Sequence, residues 1–284
     1  RALEPVEVER HGQLVLREPT GKETLSAKTV MTLFRDSQRF GKAIHWTART
    51  KISELASQIF TPATCCEPNV IDIFMEILST PDDLGASLES LHEAGILEKL
   101  LPEFVKVTGL VQRDLYHIYT VDAHLVQTGR VAIELMAGSE VHPQEFLEIA
   151  ERVRRPHVSV MAALMHDIGK GHGHGHAERG AEMSEALAER LGWDADDTDD
   201  LVFLVREHLS MMIISQRRDM EDSELVKRFA ERVESLERLK LLTLLSYADA
   251  VSTGPEAYND WKGALLRELY HRTADAIRGG AGSP

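Results

Sequence analysis

Cysteine is nearly absent: the 284-residue chain has two, Cys65 and Cys66, side by side. Adjacent cysteines rarely close an unstrained disulfide, and a Cys-Cys pair without a second cysteine cluster is not a zinc motif. A disulfide scaffold is therefore not expected, and a reducing cytoplasm is the simpler compartment. Aromatic residues are also scarce, at 6%, and 19 Gly and 10 Pro are too few for a collagen-like or low-complexity chain. Positive charge is in deficit, with 32 Lys+Arg against 46 Asp+Glu and a formal net charge of −14. Such a surface repels polyphosphate, so neither nucleic acid nor an anionic membrane is an expected partner. No run approaches the roughly 20 apolar residues of a membrane span. The first residues, Arg1-Ala2-Leu3-Glu4, carry neither a Met nor an apolar signal region, which suggests a piece of a longer chain.

What the chain does have is helical periodicity. Hydrophobic residues make up 43% of it, enough for a sizeable core at this length. Residues 1–25, with Pro5, Gly12, Pro19 and Gly21, predict an extended lead. From Ser26, apolar residues recur at spacings of three and four: Val30, Leu33, Phe34, then Ile52, Leu55, Ile59. Pro62 and Pro68 predict a short loop. Val70 to Leu78 predicts a helix, and Asp82 an N-cap for the next one, which runs to Gly95. Further helices are expected from Val121, around Phe146, from His157 to Asp167, from Ala177 to Leu191 and from Thr198 to Leu209. Others follow over Ser223–Val233, Leu236–Val251 and Tyr258–Ile277, before a flexible Gly-rich tail. Strand signals are weak, so the expected class is all-α.

Histidine is the other abundance: thirteen residues, four of them between His166 and His176. Imidazole is the commonest transition-metal ligand and the usual acid or base near neutral pH. His166-Asp167 closes the apolar run Val158–Met165, Asp249 follows the apolar run Leu241–Ala248, His124 lies early in its helix, and His208 ends another. Polar groups in such surroundings need partners, since a lone buried charge is costly. Ligands converging from facing helices are how helical bundles build metal sites. His11, His45 and His92 carry no such pattern and are expected at the surface or at edges. His172 and His174, in Gly-His-Gly-His-Gly, are expected in a mobile loop outside the ligand set.

The stretch Leu164-Met165-His166-Asp167-Ile168-Gly169-Lys170-Gly171, with His124 upstream and Asp249 downstream, resembles the HD superfamily of metal-dependent phosphohydrolases. Residues 114–124, Gly171 to Gly180, Gln216-Arg217-Arg218-Asp219 and 261–270 resemble, more closely, the HD domain of the bifunctional uridylyltransferase/uridylyl-removing enzymes. Leu91–Leu97 and Leu101–Phe104 resemble the helical connector of those enzymes. The resemblance spans about residues 30 to 275. It implies a connector over 26–110, an HD bundle over 111–255, and a last helix with its tail over 256–284.

The resemblance implies two divalent metal ions, manganese first, with iron or zinc as alternatives. One would be held by His124, His166, Asp167 and Asp249; the second would share Asp167 and add His176 and His208. Asp167 and Lys170 would be the catalytic groups, with Lys170 stabilising charge on the phosphoryl oxygens, and Arg217 or Arg218 would hold the nucleotide phosphate. The implied reaction is removal of UMP from the uridylylated PII signalling protein. Two other readings stay open: an HD phosphohydrolase of small nucleotides or cyclic dinucleotides, and a non-catalytic regulatory or binding fragment. The sequence also departs from the family. No Gly-Ser turn is followed by the Asp-x-Asp pair of a nucleotidyltransferase, because Asp194-Ala195-Asp196 reads as a helix start. Too few residues follow Tyr270 for ligand-sensing ACT domains, and Ala123 stands where an acid is expected.

Overall fold

The computed structural model describes residues 6–8, 12–16, 25–80, 85–111, 119–216, 222–254 and 257–280. The expected cap Asp82, the entry residues 114–118, the pair Arg217 and Arg218, and the tail 281–284 lie outside the described residues. The described part is helical, as the periodicity predicts, with one small exception. In the lead, β1 (Val6–Val8) pairs antiparallel with β2 (Leu14–Leu16), with Val6 opposite Leu16.

The helices before the His-Asp pair are α1 (Ala27–Phe40), α2 (Trp46–Ile59), α3 (Pro62–Cys65), α4 (Pro68–Ser79), α5 (Gly85–Glu93), α6 (Leu97–Leu100), α7 (Val121–Met136), α8 (Gln144–Ala150) and α9 (Pro156–Met165). After it come α10 (His176–Leu191), α11 (Ala195–Glu207), α12 (Ser210–Ser215), α13 (Ser223–Val233), α14 (Leu236–Thr253) and α15 (Asp260–Gly280). The segment expected as a loop between Pro62 and Pro68 is mostly the single turn α3. Thr61 accepts a hydrogen bond from the Thr64 N–H, and the Thr64 hydroxyl accepts one from the Thr61 N–H. This reciprocal capping, with Pro at the first helical position, makes a helix of residues that otherwise read as punctuation. The acid cluster at 194–196 does start a helix: the Asp194 carboxylate accepts from the Asp197 N–H at 2.8 Å.

One continuous apolar core runs from Leu14 to Ala274, so the early helices and the later bundle share it. At its centre lies α9, in which every residue from Val158 to Met165 is buried. It packs against α4, α7, α11 and α14. α14 is nearly as enclosed. Its buried Thr243 and Ser246 hydroxyls donate to the Leu239 and Leu242 carbonyls at 2.7 and 2.8 Å, which satisfies them within the helix.

An ion network locks the start of α9 to α11 and α14. Buried Asp200 accepts from Arg238 Nε at 2.6 Å and pairs with Arg155. Asp197 accepts from Arg155 at 3.1 Å and from His157 Nε2 at 2.6 Å. Asp200→Ala is expected to cost about 2 kcal/mol, because two guanidiniums lose a shared buried partner. Denaturant unfolding measures this, and an unchanged midpoint would show that the network adds nothing to stability.

Candidate metal centre

The burial of α9 has a consequence at its C-terminal end. The His166 N–H still bonds to the Ala162 carbonyl at 2.9 Å, while Asp167 has left the helix with φ −109° and ψ 8°. The apolar run therefore delivers both side chains into the interior, where His166 is fully buried and Asp167 is 3% exposed. The pair sits at the end of α9, not within it. A short 3-10 helix over Ile168–His172 then turns the chain towards α10, whose first residue is His176.

All six expected ligands converge here. His124 Nε2 lies 3.2 Å from His166 Nε2 and 3.1 Å from Asp249 Oδ1, and His166 Nε2 lies 3.5 Å from the same oxygen. Asp167 turns its two oxygens to different sides. Oδ2 faces His166 Nε2 at 3.5 Å and His124 Nε2 at 3.9 Å, while Oδ1 faces His176 Nε2 at 3.5 Å and His208 Nε2 at 3.6 Å. Two donor groups result: His124, His166 and Asp249 on one side, and Asp167, His176 and His208 on the other.

Backbone carbonyls fix which nitrogen faces inward. His166 Nδ1–H donates to Ala163 O at 2.9 Å, and His208 Nδ1–H donates to Val205 O at 2.7 Å. Both rings are thereby held with Nε2 directed at the carboxylates, and the Nδ1 contact is the outer bond that metal-binding imidazoles usually carry. The buried Nε2 atoms of His176 and His208 make no hydrogen bond among the described residues, which is costly unless something else engages them. Donors about 2.1 Å from one ion stand about 3.0 Å apart at right angles and about 3.4 Å apart at tetrahedral angles. The observed spacings of 3.1 to 3.6 Å begin within that range and end about 0.2 Å beyond it, so small side-chain shifts would bring the donors onto an ion. Mixed imidazole and carboxylate donors suit manganese, iron or zinc better than magnesium or calcium, which favour all-oxygen shells. The residues therefore fit divalent cations.

Electrostatics lead to the same fit. Burial opposes charge on His166, yet Asp167 and Asp249 outweigh it and push its pKa up to about 10. Burial likewise opposes ionisation of Asp167 and Asp249, and His166 beside them holds both carboxyls well below the usual range. Burial dominates at His208, whose pKa falls to about 4, and it also lowers that of His176. The centre thus favours positive charge between its carboxylates and keeps two imidazoles neutral, the form in which imidazole binds metals. The open side is marked by Lys170, His176 and Asp249, with side chains 18%, 27% and 20% exposed. Lys170 Nζ lies 2.5 Å from Asp167 Oδ2. His172 and His174 are exposed and join neither donor group.

Residues 121–254 match the family described as the HD domain. That segment is an HD domain. It contains all six donors, with the His166-Asp167 pair between His124 and His176 in sequence. Over 260 residues the chain is 36% identical to the bifunctional uridylyltransferase/uridylyl-removing enzyme of Azospirillum brasilense, covering 88% of this chain and 27% of that protein. Over 214 residues it is 38% identical to the protein of the same name from Erythrobacter litoralis (strain HTCC2594), covering 75% of this chain and 23% of that protein. The chain thus spans about a quarter of the length of these relatives.

The HD domain also has supports that the sequence reading missed. His92, expected at an edge, points Nε2 at buried Asp122 at 3.3 Å, two residues before His124. On the far side of α14, the Tyr247 hydroxyl donates to His142 Nδ1 at 3.1 Å, and His142 Nε2–H donates to Glu134 Oε2 at 3.0 Å. This chain anchors α14 two residues before Asp249. In sequence, the available signal was polar residues at helix positions next to the ligands; their partners come from other helices. Thr253 Oγ1–H donates to the Asp249 carbonyl at 2.9 Å, which steadies the same turn.

Proposed function

We propose that the HD centre hydrolyses phosphodiesters and that its substrate is a uridylylated tyrosine on a PII-type signalling protein, from which it releases UMP in the cytoplasm. The observation that carries the reading is Asp167, whose two oxygens face two separate donor groups. A carboxylate so placed suits a pair of metals sharing one ligand. The name of the two relatives includes uridylyl removal, which supports this choice of substrate.

Two divalent cations, manganese first, would supply Lewis acidity and offset the charge on the phosphoryl oxygens. His124, His166 and Asp249 would hold one, His176 and His208 the other, with Asp167 between them. Lys170 stands at the open side, so its ammonium can meet a phosphoryl oxygen while Asp167 orients it. Arg217 and Arg218 remain proposed contacts to the nucleotide phosphate. The Nδ1 bonds of His166 and His208 keep the rings from rotating as substrate enters.

The test offers manganese-loaded protein three substrates at equal concentration: uridylylated PII, a small aryl phosphodiester and a cyclic dinucleotide. Release of UMP from PII well ahead of the other two is expected. Turnover of the small diesters with none on PII would keep the hydrolase and overturn its substrate. Lys170→Gln is expected to lower kcat on PII by about 10²-fold with metal content unchanged, the usual cost of removing one stabilising donor. Equal kcat in the variant would remove Lys170 from the mechanism.

A further inference from the structure

At the other end of α9 and α14 from the metal centre, the turn between α8 and α9 meets the first turn of α14 and the last turns of α15. Together they frame a half-open cavity of about 400 Å³, lined by Arg152, Arg154, Leu236, Lys240, Tyr270 and Arg278, whose arginines are exposed. Four of the lining residues are cations, in a chain whose formal net charge is −14. The one acid at the cavity, Glu237, is already engaged: it accepts from the Arg154 backbone N–H at 2.7 Å and pairs with Lys240. Lys240 in turn donates to the Arg152 carbonyl. These bonds fasten the turn to α14 and fix the backbone from which both arginines extend.

The arginine side chains themselves are not consumed in this way. Among the described residues, the guanidiniums of Arg152 and Arg154 pair with no carboxylate, and the Tyr270 hydroxyl makes no hydrogen bond. Burial raises the pKa of that hydroxyl while Arg152 and Arg278 oppose the rise, so both guanidiniums act on the same point. Among the described residues Arg278 pairs with Asp275 alone, 3.2 Å away on an exposed surface, where such a pair is worth little. Ser235 caps the 18-residue α14 beside the cavity, adding the positive end of its dipole.

We propose that this cavity is a binding site for the phosphate group of a small phosphorylated ligand, separate from the metal centre. Forked guanidiniums match phosphate oxygens in pairs, a tyrosine hydroxyl donates a further bond, and the volume lies within the range of small-ligand sites. α14 begins at this cavity and carries Asp249 about 20 Å further along its axis, so one phosphate cannot occupy both places. The site does not depend on the reaction proposed for the metal centre.

Calorimetric titration of chelator-treated protein tests this, with inorganic phosphate, UMP and uridine as probes. Phosphate and UMP are expected to bind and uridine not to. Arg152→Gln with Arg154→Gln is expected to weaken binding by about ten-fold for each guanidinium removed. Arg152→Lys with Arg154→Lys should recover part of the loss, and Arg272→Gln, on an exposed surface outside the cavity, should leave binding as it was. UMP binding more tightly than phosphate would identify a nucleotide as the ligand; equal binding would identify the phosphate group alone. Absence of phosphate binding, or binding unchanged in the double glutamine variant, would overturn the assignment.

Discussion

Asp167→Ala is expected to strip bound metal from the protein and to lower phosphodiester hydrolysis by about 10³-fold. The size follows from the several kcal/mol of charge stabilisation that a bound metal supplies to a phosphoryl transition state. The breadth follows from geometry. Asp167 is the one donor whose oxygens reach both groups, Oδ2 towards His124 and His166 and Oδ1 towards His176 and His208. Removing His208 or Asp249 should weaken mainly one group, whereas removing Asp167 affects both. The measurement is elemental analysis after manganese loading and desalting, with circular dichroism to show that the helices remain. Wild-type protein should carry close to two metals per chain and the variant far fewer. Two metals retained in folded Asp167→Ala would sink the shared-ligand arrangement.

Gly169→Ala should give the largest effect of a substitution that removes no ligand. A Cβ at this position would stand 2.0 Å from the His176 carbonyl oxygen and 2.9 Å from the Gly180 nitrogen. Both are backbone atoms of α10, so no side chain can swing away to make room. The 3-10 helix and α10 would have to part, at a cost of about 3 kcal/mol, the upper end of overpacking penalties. In a chain of this length that lowers Tm by roughly 5 °C. The displaced element begins at His176, so the second donor group should lose its metal before the first does. Gly279→Ala is the control, since nothing lies within 4 Å of a Cβ there. Calorimetric melting and metal content per chain read both effects. A variant that melts with wild type and keeps two metals would show that α10 can yield without cost.

Gly169 marks where the sequence stops being informative. Its place in His-Asp-Ile-Gly-Lys was visible, but the 2.0 Å approach that forbids a side chain exists only once α10 folds back. The same division runs through the cavity at Arg152. An overall charge of −14 says nothing of a local surplus of cations, because net charge sums over the surface while a binding site samples a few residues. The antiparallel pairing of β1 and β2 was likewise not legible, since two three-residue strands are too short to show alternation.

The helical class and the near-continuous burial of α9 and α14 were legible in the sequence alone, as were His124, His166, Asp167, His208 and Asp249 as polar groups set in apolar helices, whereas His176 was singled out by the resemblance. Spacings of three and four fix one face of a helix, and a His or Asp in an apolar run must find a partner wherever the helix goes. The metal-ligand roles of those donors rest on the resemblance and on the proposed reaction. The tertiary structure decided which oxygen of Asp167 faces which histidine, which ring nitrogens the Ala163 and Val205 carbonyls hold, and how His142 and Tyr247 anchor the helix that carries Asp249. These depend on how helices far apart in sequence cross one another. Crossing is set by side-chain packing across the whole core, and periodicity along a single helix carries no record of it.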